Sequence, residues 1–171
     1  MRRMKGGIVH GSRHEMWAAF ASSGSPAALS AIDASYTAWQ FGHGPEMADE
    51  LLSLVLIGRK RATTGALRSY ELEGESLPCP GDFSVITDGR GIARCIIRTT
   101  AVEIRPFDEV DAAYARDEGE GDLSLEYWRE GHWKYYSLEL EELGGGGPEL
   151  SMPVVCEHFE VVYPPAYADK A

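Results

Sequence analysis

Gly58-Arg59-Lys60-Arg61-Ala62-Thr63-Thr64-Gly65 decides how the first half of the chain is read. It follows an amphipathic run and precedes the first strand-like segment. Nowhere else does this acidic chain concentrate positive charge beside hydroxyls in this way. Lys60 and Thr63 are three apart. In a helical turn that spacing puts both side chains on one face; in a strand it puts them on opposite faces. Spacing alone favours a helix with a cationic last turn, in which Arg59, Lys60 and Arg61 complement the dipole and Gly65 stops the helix. The sharper reading is a site: a lysine kept partly dry beside a hydroxyl can lose its proton and serve as its base.

Outward from this stretch, 171 residues are enough for one domain with a full core. An apolar content of 44% argues against general disorder. The formal net charge of −11 argues against broad electrostatic binding to nucleic acid. An RNA partner would need a local cationic patch, and residues 59–61 with Arg68 are the best candidate. Cys79, Cys95 and Cys156 are odd in number and form no CxxC pair. That fits a reduced, cytoplasmic protein without structural zinc, its thiols serving as small apolar residues. No apolar run has the length of a membrane span. Residues 1–15 carry cations but no apolar signal region and read as a disordered leader, ahead of a single domain over 16–165.

Along the chain, Met16 to Ala21 reads as a short helix and Ala27 to Phe41 as a second, with Leu29, Ile32, Tyr36 and Trp39 at helical spacing. Gly42-His43-Gly44-Pro45 is a turn, and Pro45 opens a helix with Met47, Leu51, Leu54 and Val55 as its stripe. Arg68 to Glu75 reads as extended. Leu77 to Asp82 is a turn whose two prolines exclude a central strand. Phe83 to Thr87, Asp88-Gly89-Arg90-Gly91 and Ile92 to Arg98 form the clearest hairpin, and Ala101 to Arg105 a further strand. Pro106 opens a helix to about Arg116. Asp122 caps the next helix, which lines its inner side with Leu125, Trp128, His132, Tyr135, Tyr136 and Leu138. After the Gly144 to Gly147 linker, Pro153 to Tyr163 is the last strand. The pattern is α+β with a small antiparallel barrel.

Short pieces of the chain then line up with one family. Trp39-Gln40-Phe41-Gly42, Ala48-Asp49-Glu50-Leu51, Gly58-Arg59-Lys60-Arg61-Ala62-Thr63, Pro80-Gly81-Asp82, Glu118-Gly119-Glu120-Gly121-Asp122 and Val155-Cys156-Glu157-His158-Phe159 occur in that order. Together they resemble the ASCH domain family, and the likeness spans about Met16 to Tyr163. The resemblance implies a PUA-like β-barrel flanked by helices. Relatives of that fold bind RNA. Some small members are amidohydrolases that remove acetyl from N4-acetylcytidine, and others are linked to ribonuclease activity. The amidohydrolases use a Lys and a Thr in a G-[RK]-K-x-x-T motif with a Glu in an A-x-x-E context. Those positions fall here on Lys60, Thr63 and Glu118. This chain adds a helical front, a second Glu-Gly step and a Trp-rich helix.

The expected site is a pocket for a modified nucleoside or similar small molecule, using no cofactor and no metal. Thr63 is the nucleophile, Lys60 its base and Glu118 their partner. Burial and neighbouring cations lower the lysine pKa while a carboxylate raises it, and sequence leaves that contest open. Arg59, Arg61 and Thr64 join the binding set. Trp39, Phe41 and Trp128 are candidates to stack a base, although tryptophans are more often core. His132 reads as a packed helix residue, and Glu120 and Asp122 as a turn and a cap. The alternatives are a non-catalytic RNA-binding module resting on residues 59–61 and a metal-assisted ribonuclease resting on Glu118, Glu120 and Asp122.

Overall fold

The structure, a computed structural model, describes residues 11–31 and 33–169. Of the expected leader, residues 1–10 lie outside the described residues. Ser12–Ala21 is already helix α1, with Arg13 and Phe20 buried, so order begins before Met16. The long second helix does not form. Pro26–Leu29 (α2) is one turn capped by the Ser25 hydroxyl, and Tyr36–Trp39 is strand β1. Tyr-Thr-Ala-Trp is rich in β-formers, and a partner strand outweighs its helical spacing.

Pro45–Leu56 is α3, opening on Pro45 as its sequence dictates, with Ala48, Leu51, Leu52 and Val55 buried. It ends earlier than a cationic last turn requires. Gly58 sits at φ +83°, a left-handed conformation that costs glycine little. The amides of Arg59 and Lys60 close on the Leu54 carbonyl at 2.9 and 3.1 Å. Ala62–Ala66 is then strand β2, buried throughout. Leu67–Glu73 follows as helix α4, not an extended segment. It buries Tyr70, whose ring lies over Gly65: a Cβ there would meet it at 2.9 Å.

Phe83–Thr87 (β3) and Ala93–Pro106 (β4) form the hairpin read from sequence. Its Asp88 carboxylate accepts the amides of Arg90 and Ile92 at 2.9 and 3.0 Å. The two strands expected after the turn are one, with a register shift between Thr99 and Ala101. A 3-10 turn at Phe107–Glu109 precedes helix α5, Ala112–Glu118, so the single helix expected from Pro106 is split. Asp111 caps α5 by accepting the amides of Ala113 and Tyr114. Helix α6 is Leu125–Glu142, capped by Ser124 where Asp122 was expected. It buries Trp128, His132, Tyr135 and Tyr136 as read. Leu138, however, is exposed, and Glu139 turns inward to accept Ser69 Oγ at 2.6 Å. Strand β5 is Pro153–Tyr163.

The five strands pair in the order β1-β3-β4-β5-β2, antiparallel except for the parallel pair β1–β3. The α+β class with flanking helices therefore holds. Period-2 alternation divides the interior. Cys95 and Ile97 join Trp39, Phe41 and the α3 and α6 side chains in one core. Phe83, Val85 and Ile96 join Phe20 of α1 in the other. No helix among the described residues is long and apolar enough to cross a membrane.

Candidate functional site

Three chain segments bring polar groups into the larger core. The loop after α3 delivers Lys60, the C-terminus of α5 delivers Glu118, and β2 delivers Thr64. The join between the first two is close. Arg61 N–H donates to the Asp117 carbonyl at 2.8 Å. A Cβ on Gly119, at φ +72°, would lie 2.3 Å from the Arg59 carbonyl oxygen, so only glycine lets α5 end there.

Lys60 and Glu118 are both fully buried. Lys60 Nζ donates to Glu118 Oε2 at 2.9 Å, to Glu120 Oε1 at 2.7 Å and to the Glu118 carbonyl at 3.4 Å. Its three N–H groups thus have three acceptors. The Phe41 ring centroid lies 5.6 Å from the ammonium. Glu118 Oε1 accepts the Thr64 hydroxyl and the Trp128 indole N–H, the latter at 2.8 Å. His132 stacks on Trp128 with centroids 4.1 Å apart. Its Nδ1 lies 2.9 Å from the Trp128 carbonyl. A carbonyl only accepts, so Nδ1 carries a proton. Its Nε2 then faces Glu118 Oε1 at 3.4 Å, and among the described residues it has no hydrogen-bond partner.

The electrostatic contest left open by sequence has a direction here. Burial pulls the Lys60 pKa down, but Glu118 and Glu120 outweigh it and hold it above its ordinary value. Burial pushes the Glu118 carboxyl up, but Lys60, and then His132, hold it well below the usual carboxylate range. The resting pair is ammonium and carboxylate.

Of the residues expected at the site, Lys60, Glu118, Thr64, Phe41 and Trp128 converge. Thr63 does not join them. In β2 it pairs across to Glu157, while Thr64 pairs to Cys156, so the two hydroxyls start from opposite faces. The Thr63 carbonyl accepts Tyr114 Oη at 2.8 Å. Trp39 stands one ring away, edge-on to Phe41 at 4.8 Å. Trp128 is a donor to Glu118 and not an open platform, because its ring lies against Phe107 and His132. Arg59 donates to the Gly121 carbonyl at 2.5 Å. Arg61 donates to the Val55 and Lys60 carbonyls and to Asp169. Both guanidiniums thus fasten loops outside the cluster. Sequence reading gave Glu120 a place only in the metal-assisted alternative and read His132 only as packing. The alternation Glu118-Gly119-Glu120 carried a signal for the first, and Trp128 to His132 at helical spacing a weaker one for the second. Asp122 accepts the Ser124 amide at 2.9 Å. Among the described residues no three His, Cys, Asp or Glu side chains gather as metal ligands. All three thiols are free, and burial pushes those of Cys95 and Cys156 up to about 12.

The comparisons with known proteins agree with this fold. The chain is similar to a crystal structure of an ASCH domain from Lactobacillus crispatus JV V101, with 31% identity and a TM-score of 0.84 over 94% of this chain and all of that one. It is also similar to a crystal structure of a protein from Enterococcus faecalis V583, with 39% identity and a TM-score of 0.68 over 74% of this chain and 76% of that one. Among curated proteins none matches it. The model of the ASCH domain matches residues 37–163, from β1 to the end of β5 and including every member of the Lys60 cluster. With that match covering most of its length, the chain belongs to the ASCH domain family, on a PUA-like α+β fold.

Proposed function

We propose that this protein hydrolyses the N-acyl amide of a modified nucleoside, of which N4-acetylcytidine is the type, at the Lys60–Glu118–Thr64 cluster. One observation carries the reading. A buried carboxylate holds a hydroxyl on one oxygen and an ammonium on the other. That is the relation a base bears to a nucleophile and an electrostatic partner. A core needs none of it for packing.

Two roles differ from those the family motif implies. The attacking hydroxyl is that of Thr64, and Lys60 enters as a cation. Thr64 Oγ1 bonds to the acyl carbon while its proton passes to Glu118 Oε1. The carbonyl oxygen gains negative charge, and the Lys60 ammonium stabilises it. Glu118 is a weak base at rest, but as the new oxyanion takes a share of Lys60 its proton affinity rises. The C–N bond then breaks and the departing amine takes the proton from Glu118. Water attacks the Thr64 ester, losing a proton to Glu118, which returns it to Oγ1. Glu120 is the movable part. It is the most exposed group on Lys60, at 10%, and glycines with positive φ flank it. Its departure opens a path and frees an N–H of Lys60 for the acyl oxygen.

The RNA-binding reading has less support, because Arg59 and Arg61 are engaged within the chain and the net charge is −11. The test is release of cytidine from N4-acetylcytidine, measured by chromatography. Thr64→Val should abolish release and Thr63→Val should retain most of it. The reverse pattern returns the nucleophile to Thr63, and no release by the unaltered protein removes the proposal.

A further inference from the structure

The smaller core is bounded by a cleft that the Lys60 cluster does not use. It measures about 990 Å³ and runs along β1, between α1 and residues 74–77. That is the upper end of the range for small-molecule sites. Strand β1 ends the sheet, so its outer edge has no strand partner among the described residues. Aromatic rings line the cleft: Trp17 and Tyr36 lie 4.8 Å apart, and Trp39 contributes from the other core.

Arg13 is the anomaly. It lines this cleft yet is only 8% exposed. Its Nε and Nη2 are buried, and among the described residues they have no hydrogen-bond partner. Charged side chains are almost never this buried unless paired. Nε and Nη2 form one edge of the guanidinium, and their two parallel N–H bonds match two oxygens of a single carboxylate or phosphate. Glu75 and Asp82 line the same cleft, and Asp82 is fixed by the Cys79 amide at 2.8 Å. Two carboxylates in the lining disfavour a ligand with several negative charges. A polyphosphate or a polynucleotide is therefore a poor fit, whereas a ligand with one oxyanion is not.

We propose that this cleft is a second binding site, for a small planar molecule carrying one carboxylate or phosphate group. The Arg13 side chain turns its paired N–H edge to the cleft to hold the group, and the flat part lies against Trp17 and Tyr36. The site is independent of the chemistry at Lys60.

Tryptophan fluorescence of the full chain tests it, since Trp17 and Trp39 both border the cleft. Two probes separate the sources of the anion: cytidine 5′-monophosphate and indole-3-carboxylate. Saturable quenching by either one, at least tenfold weaker with cytidine or indole, supports the site and names its source. Cytidine triphosphate should bind more weakly than the monophosphate. Arg13→Gln should weaken binding tenfold or more with an unchanged circular dichroism spectrum. Arg13→Lys, which keeps the charge but loses the paired N–H edge, should fall in the same direction. No saturation by either probe up to millimolar concentration overturns the proposal, as does equal binding of charged and neutral partners. The comparison of charged with neutral probes requires no variant, so it stands even where a substitution prevents folding.

Discussion

Lys60 and Arg13 are both buried cations, and the protein treats them in opposite ways. Around Lys60 every N–H has an acceptor and two carboxylates supply countercharge. Around Arg13 two buried donors have none among the described residues. The first arrangement recovers within the fold the interactions that water would have given. The second leaves them unrecovered, which a fold tolerates where something from outside completes the set. The contrast also separates what each residue does for stability from what it does for function, and substitutions can test each half of it.

The largest effect is expected from Lys60→Met. It removes the ammonium and leaves Glu118 buried without its main partner. Breaking a buried pair from one side costs about 3–5 kcal/mol. Urea unfolding should show the midpoint drop accordingly, with the slope unchanged. A loss below about 1 kcal/mol would mean that the cluster is hydrated in solution, and the contrast with Arg13 would fail.

Next is the pH dependence of the same pair. The Glu118 carboxyl is held below its ordinary 4.5 in the fold. Its pairing therefore contributes stability above that value and loses it as pH falls through the folded value. Lys60 is held above 10.5, so its contribution is complete below 10.5 and is lost as pH rises through its folded value. Unfolding free energy measured against pH should fall at both ends. Glu118→Gln should cost about 2 kcal/mol at neutral pH and flatten the acid limb. An acid limb as steep as that of the unaltered protein would place the titrating carboxylate elsewhere.

These two effects also mark how far the sequence could be read. The hairpin at 83–98, the last strand at 153–163 and the helix from Pro45 were legible because local signals and tertiary pairing agree there. So was the meeting of Lys60 with Glu118, through the family motif. Tyr36–Trp39 was not legible, because four residues with helical spacing become a strand only once β3 lies beside them. The choice between Thr63 and Thr64 was hidden for a related reason. Gly58 ends α3 and β2 begins at Ala62, so the period changes from 3.6 to 2 within four residues. A motif read as helical therefore sets Thr63 on the face of Lys60, whereas the strand sets the Thr64 hydroxyl against Glu118. Arg13 sat in a stretch read as leader, and nothing in its neighbours betrays that its guanidinium is enclosed.

The smallest effect is the one that most sharpens the contrast. Arg13→Met keeps an unbranched stem of similar length and deletes a charge whose buried donors lack partners among the described residues. Where Lys60→Met strands a carboxylate, Arg13→Met strands nothing, because no residue of the described chain accepts from Nε or Nη2. The same change of a buried cation to methionine should thus be neutral or stabilising, by about 0–1 kcal/mol. Differential scanning calorimetry of the two variants in one buffer makes the comparison directly. A stabilised Arg13→Met that no longer responds to either anionic probe would show that the residue is kept for its ligand at some expense to the fold. A loss above about 2 kcal/mol would mean that the guanidinium finds an acceptor within the chain in solution, and Arg13 would then join Lys60 as a structural charge.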